Sequence, residues 1–441
     1  MRNTSLAWLT VALLGIGTPP IAAPNDNPTA IPSISAEAET PALFNDRRGG
    51  YADADDIGIW VDRDRGERSL VIGTAKQGGL YAYRLSGELV QHIPTPAAPA
   101  SARKPSRFNN VDVLQGVALG AGEQDLAIVS DRGLDQVRIY RIAGKSEDGK
   151  PLTDLTAPDV PLVFSADQGQ VDRQHTAYGL AAWYDRAQGA AYVLVTQRHS
   201  TRLALLRLVA EQDKIGYQVV RTLDLPARFT LPDGTTWQPC ADPDEGPQAE
   251  GMVVDAQTGV LYAGQEDVGI WRMSARLDDT PVLVDKVREF GVSQTYDPES
   301  GKCVNPRDPG FGGQHVSADV EGLTLYYGRD GSGYLICSSQ GDSTFAVYRR
   351  EPGNAYVGSF RVAAGKTVDG AEHSDGAAVV GVPLGDKYPK GLLVVHDGDN
   401  TPEVVAPNGG KRNNTDFKFV GWEHVAESFP SPLLVDTTTG R

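Results

Sequence analysis

Short runs of alternating apolar and polar residues recur along most of the chain. Runs such as Leu70–Thr74 and Tyr192–Thr196 are each followed by a block of small, apolar, aromatic and finally basic residues, as in Gly79–Arg84. Alternation of this kind places successive side chains on opposite faces of a sheet. No amphipathic helical pattern of useful length follows the N-terminus. The pattern therefore predicts an all-β protein.

The paired strand signal returns with a period of roughly 55 to 75 residues. Five units carry it, and a sixth is marked by Gly376–Val380, Gly391–Val395 and a closing run at Phe417–Val420. A unit of this length accommodates four antiparallel strands and their loops, and a ring of such units protects strand edges. We therefore expect a six-bladed β-propeller with four-stranded antiparallel blades around a central channel.

The N-terminus has a different composition. Met1-Arg2 leads into the apolar run Leu6–Leu14, and Ala22-Ala23 offers a small-residue cleavage site, which is typical of a secretory signal peptide. The run is too short to span a bilayer. We expect a soluble, secreted or periplasmic monomer, and we divide it as follows: signal peptide 1–23, disordered segment 24–48, propeller domain 49–430 and C-terminal tail 431–441.

Composition narrows the choice of ligand. The formal net charge is −16 and the sequence pI is about 4.9, which makes nucleic acid a poor partner. An anionic ligand would require the acids to hold cations that invert the local field. Of the three cysteines, Cys240 and Cys303 lie in loops rich in Pro and Asp, and Cys337 lies in an apolar strand. Whether Cys240 and Cys303 pair stays open.

Acidic residues recur at equivalent places in the repeat. Asp319 and Glu321 are two residues apart before an apolar strand, so both point to one face and repel each other unless a cation or proton lies between them. Any one of these acids could simply stabilise a turn. A closed ring, however, would gather the whole set at one end of the channel. Oxygen ligands with few His or Cys neighbours favour Ca²⁺ over Zn²⁺. The acids in this phase are Asp53, Asp55, Asp56, Glu250, Glu266, Asp267, Asp319, Glu321, Asp369, Asp375, Asp397 and Asp399.

Basic and phenolic side chains occur at the same position of the repeat as these acids. Lys76 and Arg198 each follow an apolar strand, and Tyr178 precedes Gly179-Leu180. A lone Lys or Arg in a loop is usually only solvated, but beside a metal-rich mouth these donors suit an anionic, phosphorylated substrate.

Eleven motifs between residues 50 and 425 resemble one known family, the β-propeller phytases, which are calcium-dependent alkaline 3-phytases. The motifs are Asp55–Asp62, Asn109–Val113, Tyr178–Leu180, Glu250–Met252, Gln265–Trp271, Asp319–Thr324, Ser338–Asp342, Ser374–Gly376, Tyr388–Gly391, His396–Asn400 and Phe419–Glu423. The resemblance implies a six-bladed propeller that binds several Ca²⁺ ions. It also implies hydrolysis of myo-inositol hexakisphosphate (phytate) to lower inositol phosphates and inorganic phosphate.

The resemblance also assigns residues to roles. It implies phosphate contacts at Lys76, Tyr178 and Arg198, the last where relatives typically have Lys. One departure is Leu114, where relatives often have a phosphate-binding Arg, and Arg107 or Gln115 are the candidates to compensate. The implied calcium ligands are Asp55, Asp56, Glu250, Glu266, Asp319, Glu321, Gln340, Asp369, Asp375, Asp397 and Asp399.

The mechanism that this reading predicts is direct attack of a metal-bound water on phosphorus, without a covalent intermediate. Its catalytic residues would be Glu250, Glu266, Asp319, Glu321 and Asp375. Two alternatives stay open. A calcium-dependent propeller lactonase or other hydrolase would need a base at a single central ion, and a secreted binding propeller would not need both Lys76 and Arg198 beside the acids.

Overall fold

The computed structural model describes residues 31–120, 122–144 and 149–439. Regular structure in these residues is almost entirely β, as the alternating pattern predicts. The expected signal peptide at 1–23 lies outside the described residues. Among the residues described, no helix is both long enough and apolar enough to cross a membrane.

The described chain begins with three two-residue strands and continues into three four-stranded blades. Each of these blades is an antiparallel meander in sequence order. In chain order the strands are β1 (Ser33–Ile34), β2 (Ala38–Glu39), β3 (Leu43–Phe44), β4 (Ile57–Trp60), β5 (Leu70–Thr74), β6 (Leu80–Arg84), β7 (Leu89–Ile93), β8 (Phe108–Leu119), β9 (Gly122–Asp131), β10 (Gln136–Ile142), β11 (Leu152–Asp154), β12 (Ala177–Asp185), β13 (Ala190–Gln197), β14 (Arg202–Glu211) and β15 (Lys214–Asp224).

The second half of the chain holds blades four to six and three added hairpins. The hairpins are β16–β17, β22–β23 and β30–β31. The strands are β16 (Phe229–Thr230), β17 (Thr236–Trp237), β18 (Ala249–Asp255), β19 (Val260–Gln265), β20 (Gly269–Ser274), β21 (Val282–Lys286), β22 (Ser293–Asp297), β23 (Lys302–Arg307), β24 (Val320–Tyr327), β25 (Gly333–Ser339), β26 (Thr344–Arg349), β27 (Tyr356–Val362), β28 (Ala377–Val380), β29 (Leu392–Asp397), β30 (Val404–Val405), β31 (Lys411–Arg412) and β32 (Asn414–Gly421).

Helices in the described residues are short, and all but the last lie between strands. Two are α-helices, α1 (Gln168–Val171) before blade three and α2 (Trp422–Ser428) after the last strand. Three single-turn 3₁₀ helices lie at Gly66–Arg68, Arg329–Gly331 and Gln340–Asp342.

The first strands of the six blades form a closed ring. Strand β4 contacts β8, and the series continues through β12, β18, β24 and β28 back to β4. Buried apolar side chains fill the gaps between neighbouring blades, as where Phe417 of the last blade meets Tyr83 of the first. The predicted six-bladed β-propeller around a central channel is confirmed.

The N-terminal strands close the ring, which corrects the expected disorder of residues 24–48 over residues 31–48. Strand β2 pairs antiparallel with β32 and supplies the outer strand of blade six. Strand β3 also pairs with β32, and β1 adds to blade five in parallel with β27. Strands of two residues carry too little alternation to be recognised from sequence, and their order comes from the blade edges that they pair with.

The segment expected as a C-terminal tail is ordered as far as residue 439. Leu433 is buried against blade five, and the backbone N–H of Asp436 donates to the Tyr326 hydroxyl at 2.6 Å. The Asp436 carboxylate in turn accepts the backbone N–H of Arg329 at 3.0 Å.

A disulfide joins two hairpin regions on one side of blade four. Cys240 follows β17 and is bonded to Cys303 in β23, which settles the pairing that the sequence leaves open. Trp237 packs against Phe290, and its indole N–H donates to the Val292 carbonyl at 2.8 Å. Cys337 is a buried free thiol, as expected.

Candidate functional site

The candidate site is built from one position that repeats in all six blades, at the N-terminal end of the innermost strand. In blades two to five the pair of residues at this position interrupts the ladder between the first two strands. Such bulges re-aim side chains at one rim of a sheet. The six pairs are Asp55-Asp56, Asn109-Asn110, Tyr178-Gly179, Glu250-Gly251, Glu321-Gly322 and Asp375-Gly376.

Glycine in four of these pairs lets neighbouring blades approach closely. A Cβ on Gly251 would lie 2.2 Å from the Glu321 carbonyl oxygen, closer than any real contact. Gly322 donates its N–H to the Asp375 carbonyl at 2.7 Å. The other added Cβ atoms would lie 1.9 Å from Glu250 O at Gly179, 2.8 Å from Asp375 O at Gly322 and 2.6 Å from Asp56 Oδ1 at Gly376. The glycine of one blade therefore makes room for the acid of another.

Three carboxylates meet at this rim. One carboxylate oxygen from each of Glu250, Glu266 and Glu321 lies within 4.8 Å of the other two. Burial, followed by repulsion from Glu250 and Asp319, raises the pKa of Glu266. Burial, followed by repulsion from Glu250 and Glu266, raises the pKa of Glu321. The structure therefore brings Glu250, Glu266 and Glu321 together, as the sequence predicts.

A lysine lies between two further acids of the ring. Lys76 Nζ is 2.8 Å from Asp55 Oδ1 and 3.4 Å from Asp375 Oδ2. Although burial acts against it, the carboxylates of Asp55, Asp375 and Glu250 raise the pKa of Lys76. Gln340 donates its side-chain amide to Asp375, which joins this predicted ligand to the same group.

The buried side chain of His396 supports Asp375 from behind. Its Nδ1 accepts the backbone N–H of Asp375 at 2.9 Å. Burial, followed by the charge of Lys76, lowers the pKa of His396 to about 3, so the ring is neutral and can accept this bond. The sequence places His396 at the start of one family motif but assigned it no role of its own.

Sequence reasoning also missed Arg132. Its Nη1 donates to Asn109 Oδ1 at 2.8 Å, and the Asn109 amide donates to Glu250 Oε1. The guanidinium lies 5.6 Å from the centre of the Tyr178 ring, and its charge partly opposes the rise that burial causes in the pKa of Asp55. Arg132 directly follows the apolar strand β9, a position that it shares with Lys76 and Arg198 in their blades. This shared position in the repeat could have identified Arg132 from the sequence.

The predicted phosphate contacts Tyr178 and Arg198 border the same acids. Burial, followed by the charges of Glu250, Glu266 and Glu321, raises the pKa of Tyr178. Burial, followed by the nearby Arg132, lowers the pKa of Arg198. Two guanidiniums close enough to repel each other form a place where an anion would be favourable.

Asp319 borders the carboxylate cluster, whereas Asp56 is turned into the channel. Burial, followed by the charge of Glu289, raises the pKa of Asp319, and Asp319 in turn acts on Glu266. Asp56 Oδ2 accepts the backbone N–H of Val111 at 3.1 Å, which ties blade one to blade two.

The remaining predicted ligands form a separate group around a buried lysine. Lys418 Nζ contacts Asp369, lies 3.0 Å from Asp416 Oδ2 and lies 3.4 Å from Asp397 Oδ2. Asp399 is half-exposed and pairs with Lys411 at 3.2 Å. In blade six an ammonium group thus already compensates the acids that the resemblance assigned to calcium.

Leu114 and Gln115 lie at the other end of the channel. Both line a cavity of ≈ 210 Å³ whose walls include Trp183 and Tyr327. The Gln115 amide donates to the Val61 carbonyl at 2.9 Å. Arg107 instead faces the acids, and burial followed by the charge of Arg132 lowers its pKa. Of the two candidates to compensate for Leu114, only Arg107 is at the site.

The donor set at the rim fits a hard divalent cation. Glu250, Glu266 and Glu321 offer only oxygen atoms, and Glu321 Oε2 is buried without a hydrogen-bond partner in the described structure. Carboxylates packed this closely are favourable only with a cation or protons between them. Hard cations such as Ca²⁺ take oxygen ligands of this kind. The cations Lys76, Arg132 and Arg198 at the border would then face an anion held there.

Two comparisons with known proteins point to the same family. The family model described as Phytase matches residues 4–214 and 244–439, leaving out the segment that holds β16, β17 and Cys240. The chain is 29% identical to the 3-phytase of Bacillus subtilis (strain 168) over 396 residues, which cover 89% of this chain and 85% of that protein.

Two solved structures resemble this chain distantly. A crystal structure of BBS1N in complex with ARL6DN matches 82% of this chain and 77% of its own at 11% identity, with a TM-score of 0.38. A chain of the Mitotic Checkpoint Complex matches 93% of this chain and 99% of its own at 12% identity, with a TM-score of 0.39. Scores this low carry no argument about function.

Proposed function

Because the chain belongs to the phytase family, we propose that it is a calcium-dependent phytase of the 3-phytase class. Its reaction would release inorganic phosphate from myo-inositol hexakisphosphate and leave lower inositol phosphates. The observation that carries the proposal is the meeting of Glu250, Glu266 and Glu321 at one rim of the ring, bordered by Lys76 and Arg132.

The charge of the protein supports a role for cations. A chain of net charge −16 would repel phytate unless the rim acids were neutralised. Glu250, Glu266, Asp319, Glu321 and Asp375 are the residues that would hold calcium. Bound there, Ca²⁺ supplies positive charge at the scissile phosphate and lowers the pKa of a water.

The chain's own cations would orient the phosphoryl group. Lys76, Arg132 and Arg198 would donate to its non-bridging oxygens, and the Tyr178 hydroxyl would add a neutral donor. Water adds to phosphorus in line with the inositol oxygen, whose bond to phosphorus breaks. The inositol oxygen ends as a hydroxyl and the phosphoryl group ends as inorganic phosphate. Geometry fixed before the reaction lowers the cost of reaching that transition state.

The same cations weigh against the alternatives. A lactone is neutral, so a lactonase would gain little from Lys76, Arg132 and Arg198 together. A binding propeller could use the cations, but it would not release phosphate. Release of phosphate therefore separates the three functions.

The test is phosphate release from phytate by the full chain, with calcium and with a chelator. We expect release with calcium, none in chelator, and recovery when calcium is restored. Glu266→Gln should abolish release while circular dichroism shows the fold unchanged. Folded, calcium-supplied protein that releases no phosphate would overturn the proposal. Secretion and the monomeric state remain predictions from the sequence.

A further inference from the structure

Gln248 makes an unusual set of contacts at the edge of the carboxylate cluster. Its side-chain Nε2 donates to both oxygens of Glu266, at 2.8 and 2.9 Å, and lies 3.4 Å from the Tyr178 hydroxyl. Its Oε1 accepts the backbone N–H of His199 at 2.7 Å. One amide therefore joins the loop after β13 to an acid that follows β19.

The orientation of this amide is determined by its partners. A backbone N–H can only donate, so the His199 contact requires the amide oxygen on that side. The amide nitrogen must then face Glu266, whose carboxylate can only accept when ionised. Turning the amide over would place like groups against each other at both ends.

The His199 N–H is itself held in place. The residue has a left-handed backbone with φ of 58°, and its carbonyl accepts the N–H of Gly246 at 3.0 Å. Its ring Nδ1 lies 3.1 Å from Glu245 Oε1. The donor that fixes Gln248 thus belongs to a braced loop and not to a free one.

Glu266 needs such a restraint. Glu250 and Glu321 are fully buried in the ring, whereas Glu266 is only partly buried and follows the second strand of its blade. Repulsion from the other two carboxylates would push its side chain away from them. The two bonds from Gln248 restrain both oxygens of this carboxylate, one of which lies within 4.8 Å of an oxygen of each neighbouring acid.

We propose that Gln248 is a positioning residue that orients Glu266 for calcium and so sets the calcium affinity of the rim. The inference rests on the proposed function, because it takes calcium to be the ligand of these acids. Residues that orient metal ligands typically change metal affinity by about 10- to 100-fold when they are replaced. In this role Gln248 acts on the metal site through Glu266, and its Nε2 also lies 3.4 Å from the Tyr178 hydroxyl.

The test compares Gln248→Met with a matched control, Gln91→Met. Gln91 is also a partly buried glutamine with both amide ends bonded, to the Leu152 carbonyl at 3.0 Å and the Leu152 N–H at 2.8 Å, but it lies in blade one away from the acids. Calcium binding is measured by calorimetry on the chelator-stripped full chain, without phytate. We expect Gln248→Met to weaken binding about 10- to 100-fold and Gln91→Met to leave it unchanged.

A second readout separates positioning from a general loss of structure. Raising calcium should restore the kcat of Gln248→Met to near that of the unaltered chain, with only the half-saturating calcium concentration shifted. If Gln248→Met does not fold, Gln248→Asn keeps an amide but withdraws it from Glu266, and the same shift is expected.

Equal calcium affinity in the unaltered chain and the folded Gln248 variant would overturn the inference and leave the proposed function standing. If Gln248→Met weakens calcium binding as expected but the unaltered chain releases no phosphate from phytate, the proposed function is overturned and the inference stands. Absence of calcium binding in the unaltered chain would overturn both.

Discussion

The ammonium group of Lys76 lies 2.8 Å from the carboxylate of Asp55, whose side chain is fully buried, while the Lys76 side chain is mostly buried with 13% exposed. Removing one partner of a buried ion pair leaves an uncompensated charge, at a cost of about 3–5 kcal/mol. We predict that Lys76→Met lowers the free energy of unfolding by about that amount in chelator and abolishes phosphate release. Denaturant unfolding and a phosphate assay check the two effects.

The control for Lys76 is Lys390→Met. Lys390 is about half-exposed, 3.9 Å from Glu427, and should contribute little. Lys76→Arg, which keeps the charge, should recover part of both properties. Full activity in Lys76→Met would contradict the role assigned to this residue.

Arg132 should matter for catalysis although no sequence motif singled it out. It anchors Asn109, which bonds Glu250, and its charge acts on Asp55 and Glu250 at the rim. Loss of one donor to a developing charge typically costs about 100-fold or more. We predict that Arg132→Ala lowers kcat/KM for phytate by about 100-fold, whereas Arg221→Ala, at an exposed ion pair, changes it little. Equal values for both variants would contradict this.

Gly251 should tolerate no side chain. A Cβ there would lie 2.2 Å from the Glu321 carbonyl, so Gly251→Ala must push blades four and five apart. We predict a loss of about 1–3 kcal/mol of stability together with weaker calcium binding. Gly410→Ala is the control, because its Cβ would meet nothing closer than 3.5 Å. Thermal melting with and without calcium measures both effects. If calcium raises the melting temperature of Gly251→Ala as much as that of the unaltered chain, the claim that glycine sets the spacing of the blades is contradicted.

Calcium-free protein should lose stability as pH rises. Burial, opposed by Lys76 and aided by Asp375, raises the pKa of Asp55 from 3.8 to about 7. A carboxyl whose folded pKa is raised binds its proton more tightly when folded. Its stabilisation is therefore fully present below the unfolded pKa and is lost as pH rises through the folded value.

We predict that the melting temperature in chelator falls between about pH 4 and about pH 7, and that calcium removes the fall. The Glu266 and Glu321 carboxyls should add to the effect, because burial and neighbouring acids raise their pKa values too. Glu321→Gln should make the fall shallower. A melting temperature that rises over this range in chelator would contradict the electrostatic account.

Alternation and repeat length were enough to predict the blades, because each inner strand is a buried run flanked by turns. Phe417–Val420, in the third strand of blade six, was recognised as the closing run because it is also a buried apolar run. Strands β1 to β3 were missed because two residues have no period, and their pairing with β27 and β32 is a long-range contact. The edges of blades five and six, and not local sequence, determine where this segment lies.

The rim of the site was predictable because residues at the same position of each repeat come together when the blades close into a ring. Glu250, Glu321 and Asp375 share the position before a glycine, and the bulges in blades four and five aim the two glutamates at the rim. Arg132 was missed because a single Arg after a strand is common on any surface. Asp369 and Asp397 were grouped with the rim because sequence cannot show that Lys418, buried in β32, lies between them.

The central claim is that bound cations reverse the sign of the potential at the rim so that a polyanion can bind. Calorimetric titration with myo-inositol hexakissulfate, which presents six anionic groups and is not a phosphomonoester, tests it without turnover. The account predicts no measurable binding to the chelator-treated protein and saturable binding once calcium is restored. Binding that is equally tight in chelator would contradict it.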